Sequence, residues 1–454
     1  MKEKLAKWFR FDEYGTDLRT EVTAGFTTFM GMAYILAVNP SLLSAAGMDK
    51  GAVFTATAIS SAVATLIMAM LTNYPFALAP GMGLNAYFAY TVCIKMGYSW
   101  QVALAAVFVE GIIFIVLSLT NVREAIFNSI PKSLRLSISA GIGLFIALVG
   151  LKSANIVVND DSTLVTMFKW STATNATLGL TVALALIGTI FTAILLVKGV
   201  RGSVLLGILA TWAAGIVCEL LGFYVPMPKL GLYSLIPDFS NGISVASMAP
   251  TFMKMQLPKT FSFDFLTVIF AFLFVDLFDT LGTLTGCAVK AGYIDENGKL
   301  PRIKGALLAD AIGTTIGACF GTSTVTTFVE SSIGISEGGR SGLPGVIVAL
   351  LFLVALFFSP IFLAIPSFAT APALIIVGFL MIQNVVQIDF FDPTEGIPAF
   401  LCLAFMPLTY SISEGIGIGF ISYTLINLLT GKKEKVSITM IIVSILFILK
   451  YIFI

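Results

Sequence analysis

Five acidic residues interrupt the long apolar runs of this chain: Glu110, Asp276, Asp279, Asp310 and Glu330. No lysine or arginine lies deep in such a run; Lys95 and Lys152 stand at run ends. Ionisable groups in these places are costly and usually functional. An all-acidic set does not suit an anion. It suits a cation, a proton, or a neutral ligand rich in N–H donors, because two carboxylate oxygens can accept paired N–H bonds from a planar heterocycle. Asp276 and Asp279 are three residues apart, so on a helix they share a face. Two carboxyls that close in an apolar setting cannot both ionise cheaply. One is therefore expected to bind substrate, and the other to hold a proton or couple it to movement. The bland reading of Asp279 is an acceptor for hydroxyls of the Thr-rich run Thr322–Thr327.

Glu330 follows that run, where a short helix would start, in the favourable field of its N-terminus. A capping glutamate is the alternative. Asn85 ends the glycine-rich break in Ala79–Tyr90, and Gly83 lets backbone come close; an asparagine cap explains Asn85 equally. Weaker candidates are Thr327, Asn39, Asp310 and Glu110. Asn39-Pro40 is expected to end or kink the first span. Asp310 could pair with the Lys/Arg cluster before it, and Glu110 could hydrogen-bond between helices. Phe88 and Phe328 could stack on a flat base, although with 38 phenylalanines packing is the default. The chain has no histidine. That excludes a His-bearing metal site, a catalytic triad and a histidine proton relay. Its five cysteines lack metal-ligand spacing and read as packing.

These residues need membrane helices to position them. Of the 454 residues 57% are hydrophobic and 11% charged, against about 25% charged in soluble domains. Apolar runs approach the ~20 residues needed to cross a bilayer. They give fourteen expected spans, from Val22–Val38 to Ile412–Leu429. Net charge is +1, so nothing favours nucleic acid. Basic residues collect on one side of this count: the N-terminus, Arg123, Lys132, Arg135, Lys198, Arg201, Lys290–Lys304, Arg340 and Lys432–Lys435. That side is expected to be cytoplasmic. One loop on it, Asp389–Glu395, is acidic and disagrees.

The organisation expected is a cytoplasmic surface segment at 1–21, seven spans at 22–221, an outer loop at 222–262, and seven spans at 263–430. A C-terminal segment follows at 431–454, whose apolar stretch Ile438–Ile454 has no assigned function. An odd number of spans per half makes the halves inverted. The third and tenth segments, FALAPGMGLNAYFAY at Phe76–Tyr90 and GTSTVTTFVESSIG at Gly321–Gly334, are poor continuous helices. Each reads as an extended piece followed by a half-helix. Non-helical backbone at membrane depth persists only inside protein or beside a cavity, and paired interruptions point to a transport site.

The motifs APGMGLNAYFAY at Ala79–Tyr90, FVDLFDTLGTLTG at Phe274–Gly286 and GTSTVTTFVESSIGISEGGRSGL at Gly321–Leu343 resemble the nucleobase–cation symporter family two, in its AzgA-like branch of adenine, guanine and hypoxanthine permeases. The resemblance covers essentially the whole chain. It implies an all-α polytopic fold of two inverted seven-span repeats. Core and gate domains divide the spans, and short antiparallel strands in spans three and ten hold the substrate between them. By motif position it implies substrate contacts from Asp276, Glu330, Asn85 and Gly83, with Asp279 as a helper acid. Uracil-transporting relatives carry a histidine where this chain has Thr280, which favours purines. The expected partners are a purine nucleobase, a coupling ion with the proton ahead of sodium, and the bilayer. Related folds are often dimeric, so a homodimer is part of the implication. No cofactor is expected. The competing expectations are a transporter of the same fold for an inorganic anion, and an integral-membrane enzyme.

Overall fold

The computed structural model describes residues 2–120, 129–160, 162–170, 176–227, 232–237, 244–258, 263–293 and 300–453. Arg123 and Lys299, two of the expected basic-loop residues, lie outside these. Among the described residues, eleven helices are long and apolar enough to cross a membrane. Three expected spans fall outside that set: the interrupted third and tenth, and the 16-residue helix Pro393–Leu408.

The first span is two helices, α1 (Leu18–Met32) and α2 (Ile35–Ser44), separated at Ala33–Tyr34. Asn39-Pro40 does not end it. Pro40 sits inside α2, where burial on all sides outweighs the one backbone bond a proline removes. Next come α3 (Lys50–Thr72), strand β1 (Leu78–Pro80), the five-residue α4 (Met82–Ala86), a π-helical stretch Tyr87–Lys95, and α5 (Trp100–Leu119). Then follow α6 (Lys132–Ser153), an outer hairpin of β2 (Val157–Asp160) and β3 (Leu164–Met167), α7 (Ala176–Val197) and α8 (Ser203–Leu220). The second half holds α9 (Phe263–Ala291), α10 (Ile303–Phe320), strand β4 (Val325–Thr327), the short α11 (Ser331–Ser336), α12 (Leu343–Ala355), α13 (Ser367–Ile382), α14 (Pro393–Leu408), α15 (Ile412–Leu429) and α16 (Ile438–Phe453).

Strands β1 and β4 pair antiparallel, with Leu78 opposite Thr327, Ala79 opposite Thr326 and Pro80 opposite Val325. Proline tolerates this end position because no ladder bond needs its missing N–H. The helices sort into two packed sets: α1, α2, α3, α5, α9, α10 and α12 around the β1–β4 pair, and α6, α7, α8, α13, α14 and α15. In the second set α6 and α13 touch backbone to backbone. A Cβ on Gly378 would stand 2.4 Å from the Gly143 carbonyl oxygen, and one on Gly143 would stand 2.7 Å from that of Gly378. Close glycine contacts are how membrane helices gain packing without a hydrophobic driving force. Gly378→Val should force the pair apart at an overpacking cost of about 1–3 kcal/mol. A melt of detergent-solubilised protein should show a lowered midpoint; an unchanged midpoint would contradict this packing.

One end of the molecule gathers the N-terminal segment and several basic loops. Arg302 donates to the Tyr14 hydroxyl at 2.6 Å, Asn73 Nδ2 to the Phe9 carbonyl at 3.1 Å, and Arg201 to Glu337 at 2.6 Å. The dissenting acidic loop has its own explanation. Lys435 Nζ lies 3.1 Å from Asp392 and 2.9 Å from Glu395, and Lys432 lies 3.6 Å from Asp392. The Thr394 hydroxyl and N–H, with Lys435, hold the Asp392 carboxyl well below the usual range. The acidic loop thus neutralises the basic segment beside it. Helix α16 packs on α15 and α9: Lys450 pairs with Glu414 at 2.6 Å, and the rings of Phe447 and Phe270 meet edge-on at 5.8 Å.

Candidate functional site

In the run Thr322–Thr327 four hydroxyls each bond a different element. Thr322 accepts from Asn39 Nδ2 at 2.9 Å, and Asn39 also reaches Thr57 at 2.7 Å. Ser323 donates to Asn85 Oδ1, whose Nδ2 turns to the Pro80 carbonyl at 3.2 Å. Thr324 donates to Glu110 at 3.0 Å, and Thr326 to Asp279 Oδ2 at 3.1 Å. Strand geometry explains the spread, because successive side chains point to opposite faces. Val325 packs towards Gly313 and Gly317 of α10. Thr326 faces α9, and Thr327 turns back with Val325, its buried hydroxyl without a hydrogen-bond partner. So it is Thr326, not singled out in the sequence, that meets the acid; Thr327 does not.

Two acidic groups emerge from this frame. The first comprises two part-exposed acids beside the β1–β4 pair: Asp279, which accepts from Thr326 of β4, and Glu330, three residues beyond β4. Glu330 occupies the N-cap position of α11, but its side chain makes no capping bond. Instead its Oε1 accepts from the Tyr34 hydroxyl at 2.6 Å. Tyr34 carries no sequence signal of function; only the contact with a residue 296 positions away reveals it. Two glycines admit this closeness. A Cβ on Gly31 would stand 2.7 Å from Ile333 of α11, and one on Gly81 would stand 2.9 Å from Thr326 Oγ1 and 3.3 Å from Asp279 Oδ2.

The second group is buried. The Thr280 hydroxyl lies 2.9 Å from Asp276 Oδ1 and 2.9 Å from Asp310 Oδ1, and all three side chains are sealed from solvent. Asp310 is thus bonded to Thr280 inside the bundle. It points into the bundle, one helix layer behind Asp279. A hydroxyl has one proton. It can donate to one of these carboxyls, and it can accept a hydrogen bond from the other only when that carboxyl carries a proton.

The remaining candidates are placed as follows. Gly83 packs against α6, where a Cβ would stand 2.5 Å from Ile142 Cγ2. Asn85 lies within α4 and ties it to the tenth segment rather than capping it. Phe88 is buried against Phe272, with centroids 6.5 Å apart, and Phe328 lies 6.5 Å from the Tyr34 ring. Among the described residues no cluster of three or more His, Cys, Asp or Glu could hold a metal ion.

Among the described residues the two ends of the bundle differ. On α9, Phe270 and Phe274 pack on α16 and α15. The same stripe continues to Gly282 and Gly286, where no described atom would approach a Cβ within 4 Å, and to exposed Val289. At the other end the two helix sets are latched. Lys95 Nζ donates to the Thr409 carbonyl at 2.7 Å and Thr91 Oγ1 to that of Tyr410 at 3.3 Å, while the rings of Tyr90 and Tyr410 meet edge-on at 5.8 Å.

A family model described as "Permease family" (Xan_ur_permease) matches residues 19–448. The guanine/hypoxanthine permease PbuG of Bacillus subtilis is 46% identical over 99% of this chain and 100% of its own length. The adenine permease AdeP of Escherichia coli is 42% identical over 99% of this chain and 96% of its own. Among solved structures, the transmembrane domain of a cyanobacterial bicarbonate transporter, BicA, superposes with a TM-score of 0.63 at 17% identity, covering 88% of this chain and 97% of that one.

Proposed function

The chain belongs to the xanthine–uracil permease family, and we propose that it takes up purine nucleobases by proton symport with alternating access. It is a permease, not an enzyme. The observation that carries the substrate reading is the part-exposed acid pair Asp279 and Glu330 beside the β1–β4 strands. Two part-exposed acceptor groups beside the strand pair match a neutral heterocycle with N–H groups on its edges. Relatives named as guanine/hypoxanthine and adenine permeases, alike over nearly their whole length, support the same class. An inorganic-anion carrier is the second reading, because BicA shares the fold. Two acids beside the strand pair count against it, since they would repel the cargo.

The Asp276–Thr280–Asp310 chain supports the proton as coupling ion. Asp276 is buried behind Thr280, so we assign it to proton holding rather than base contact in this state, with Asp279 and Glu330 meeting the base. Asn85 and Gly83 support the site from behind by holding α4 against the tenth segment and α6. The uncovered stripe at Gly282 and Gly286, opposite the latch at Lys95, fits a state open at the end of α9 that carries Lys290. By the basic-loop rule that end is cytoplasmic.

The test is uptake of labelled hypoxanthine by cells expressing the chain, with a panel of competitors. Guanine or adenine should compete, the label should be recovered chemically unchanged, and inosine should compete far more weakly because the cleft offers no evident group for a ribose. Inosine as strong as guanine, or competition by bicarbonate, would contradict the reading.

A further inference from the structure

We propose that Tyr34 is a positioning residue that fixes the plane of the Glu330 carboxylate and thereby sets the preference between purines; this rests on reading the Glu330 cleft as the nucleobase site. The first span breaks at Ala33–Tyr34, between α1 and α2, at the depth where α11 begins. The backbone there stays helical, with φ −58° and ψ −24° at Tyr34. Ala37 N–H and Val38 N–H both turn back to the Tyr34 carbonyl. The break aims the ring at α11 while its body stays buried, 1% exposed, beside Phe328. Gly31, one turn earlier, removes the Cβ that would keep Ile333 away. The first span is thus shaped to bring one hydroxyl to one carboxylate.

A carboxylate offers about four lone-pair positions and rotates readily about its last bond. The Tyr34 hydroxyl takes one position on Oε1 at 2.6 Å, which stops the rotation and leaves the other position on Oε1 and those on Oε2 for a ligand. Ligands feel this differently. Guanine presents two adjacent N–H groups, at N1 and the 2-amino group, and a two-point contact needs the carboxylate plane held. Hypoxanthine has no 2-amino group; its single N1–H can follow a carboxylate that turns. Tyr34 therefore contributes more to binding guanine than hypoxanthine, without touching either.

The experiment is isothermal titration of purified wild-type and Tyr34→Phe protein with guanine and with hypoxanthine. Phenylalanine keeps the ring against Phe328, and affinities are read on the monodisperse fraction. In the variant, guanine affinity should fall about tenfold or more, the weight of one hydrogen bond to a charged group, and hypoxanthine affinity by clearly less. Unchanged affinities, or equal losses for both bases, would overturn the proposal. If the variant purifies poorly, the ratio of guanine to hypoxanthine competition in whole-cell uptake gives the same reading. Wild-type protein that binds neither base would overturn the nucleobase reading itself, and this proposal with it.

Discussion

Glu330→Gln is expected to bring hypoxanthine uptake close to background while the protein still reaches the membrane. The amide keeps the size of the side chain, and its oxygen can still accept from Tyr34 at the place where Oε1 now stands, so the fold is kept. The charge that strengthens a hydrogen bond from the base is lost. Such bonds are worth roughly 1.5–3 kcal/mol, about 10- to 100-fold in affinity. The amide also brings an N–H that would face another N–H. Uptake rate and membrane abundance, measured on the same cells, check this. Near wild-type uptake would remove Glu330 from the site.

Asp310→Asn should separate binding from accumulation. In the wild-type chain Thr280 bridges Asp276 and Asp310 at 2.9 Å on each side, an arrangement satisfied when one carboxyl carries a proton. Asparagine can donate to the hydroxyl permanently, so the bridge survives without loading or releasing anything. The variant should bind hypoxanthine within a few-fold of wild type and still exchange external for internal base. Its gradient-driven accumulation should fall at least tenfold. Counterflow and concentrative uptake in the same vesicle preparation distinguish the two. Equal loss of both would mean a structural role for Asp310; full accumulation would place the coupling proton elsewhere, with Asp279 next in line.

Much of the proposed site was legible in the sequence for a definite physical reason. Charge is so costly in apolar runs that Asp276, Asp279 and Glu330 declare themselves, and Pro80, Gly81 and Gly83 cannot sit in an uninterrupted helix. What was not legible depended on direction or distance. The contact of Asp310 with Thr280 could not be read from its sequence neighbours, because the direction a side chain faces on α10 is not visible there. Thr326 and Thr327 are indistinguishable until the pairing of β4 with β1 decides which one faces α9. Tyr34 reads as a packing aromatic, since the role proposed for it lies in a contact across 296 residues. Pro40 does not end its helix, and the gap between α1 and α2 falls at Ala33–Tyr34, where no proline marks it.

The most direct test of proton-coupled purine uptake is labelled hypoxanthine accumulation in proteoliposomes of the purified protein under an imposed pH gradient, a sodium gradient, or neither. The account predicts concentrative uptake with the pH gradient, collapse on adding a proton ionophore, and no response to sodium. Accumulation that needs sodium and ignores the pH gradient would contradict the proton, and hypoxanthine that never accumulates under any gradient would contradict the purine.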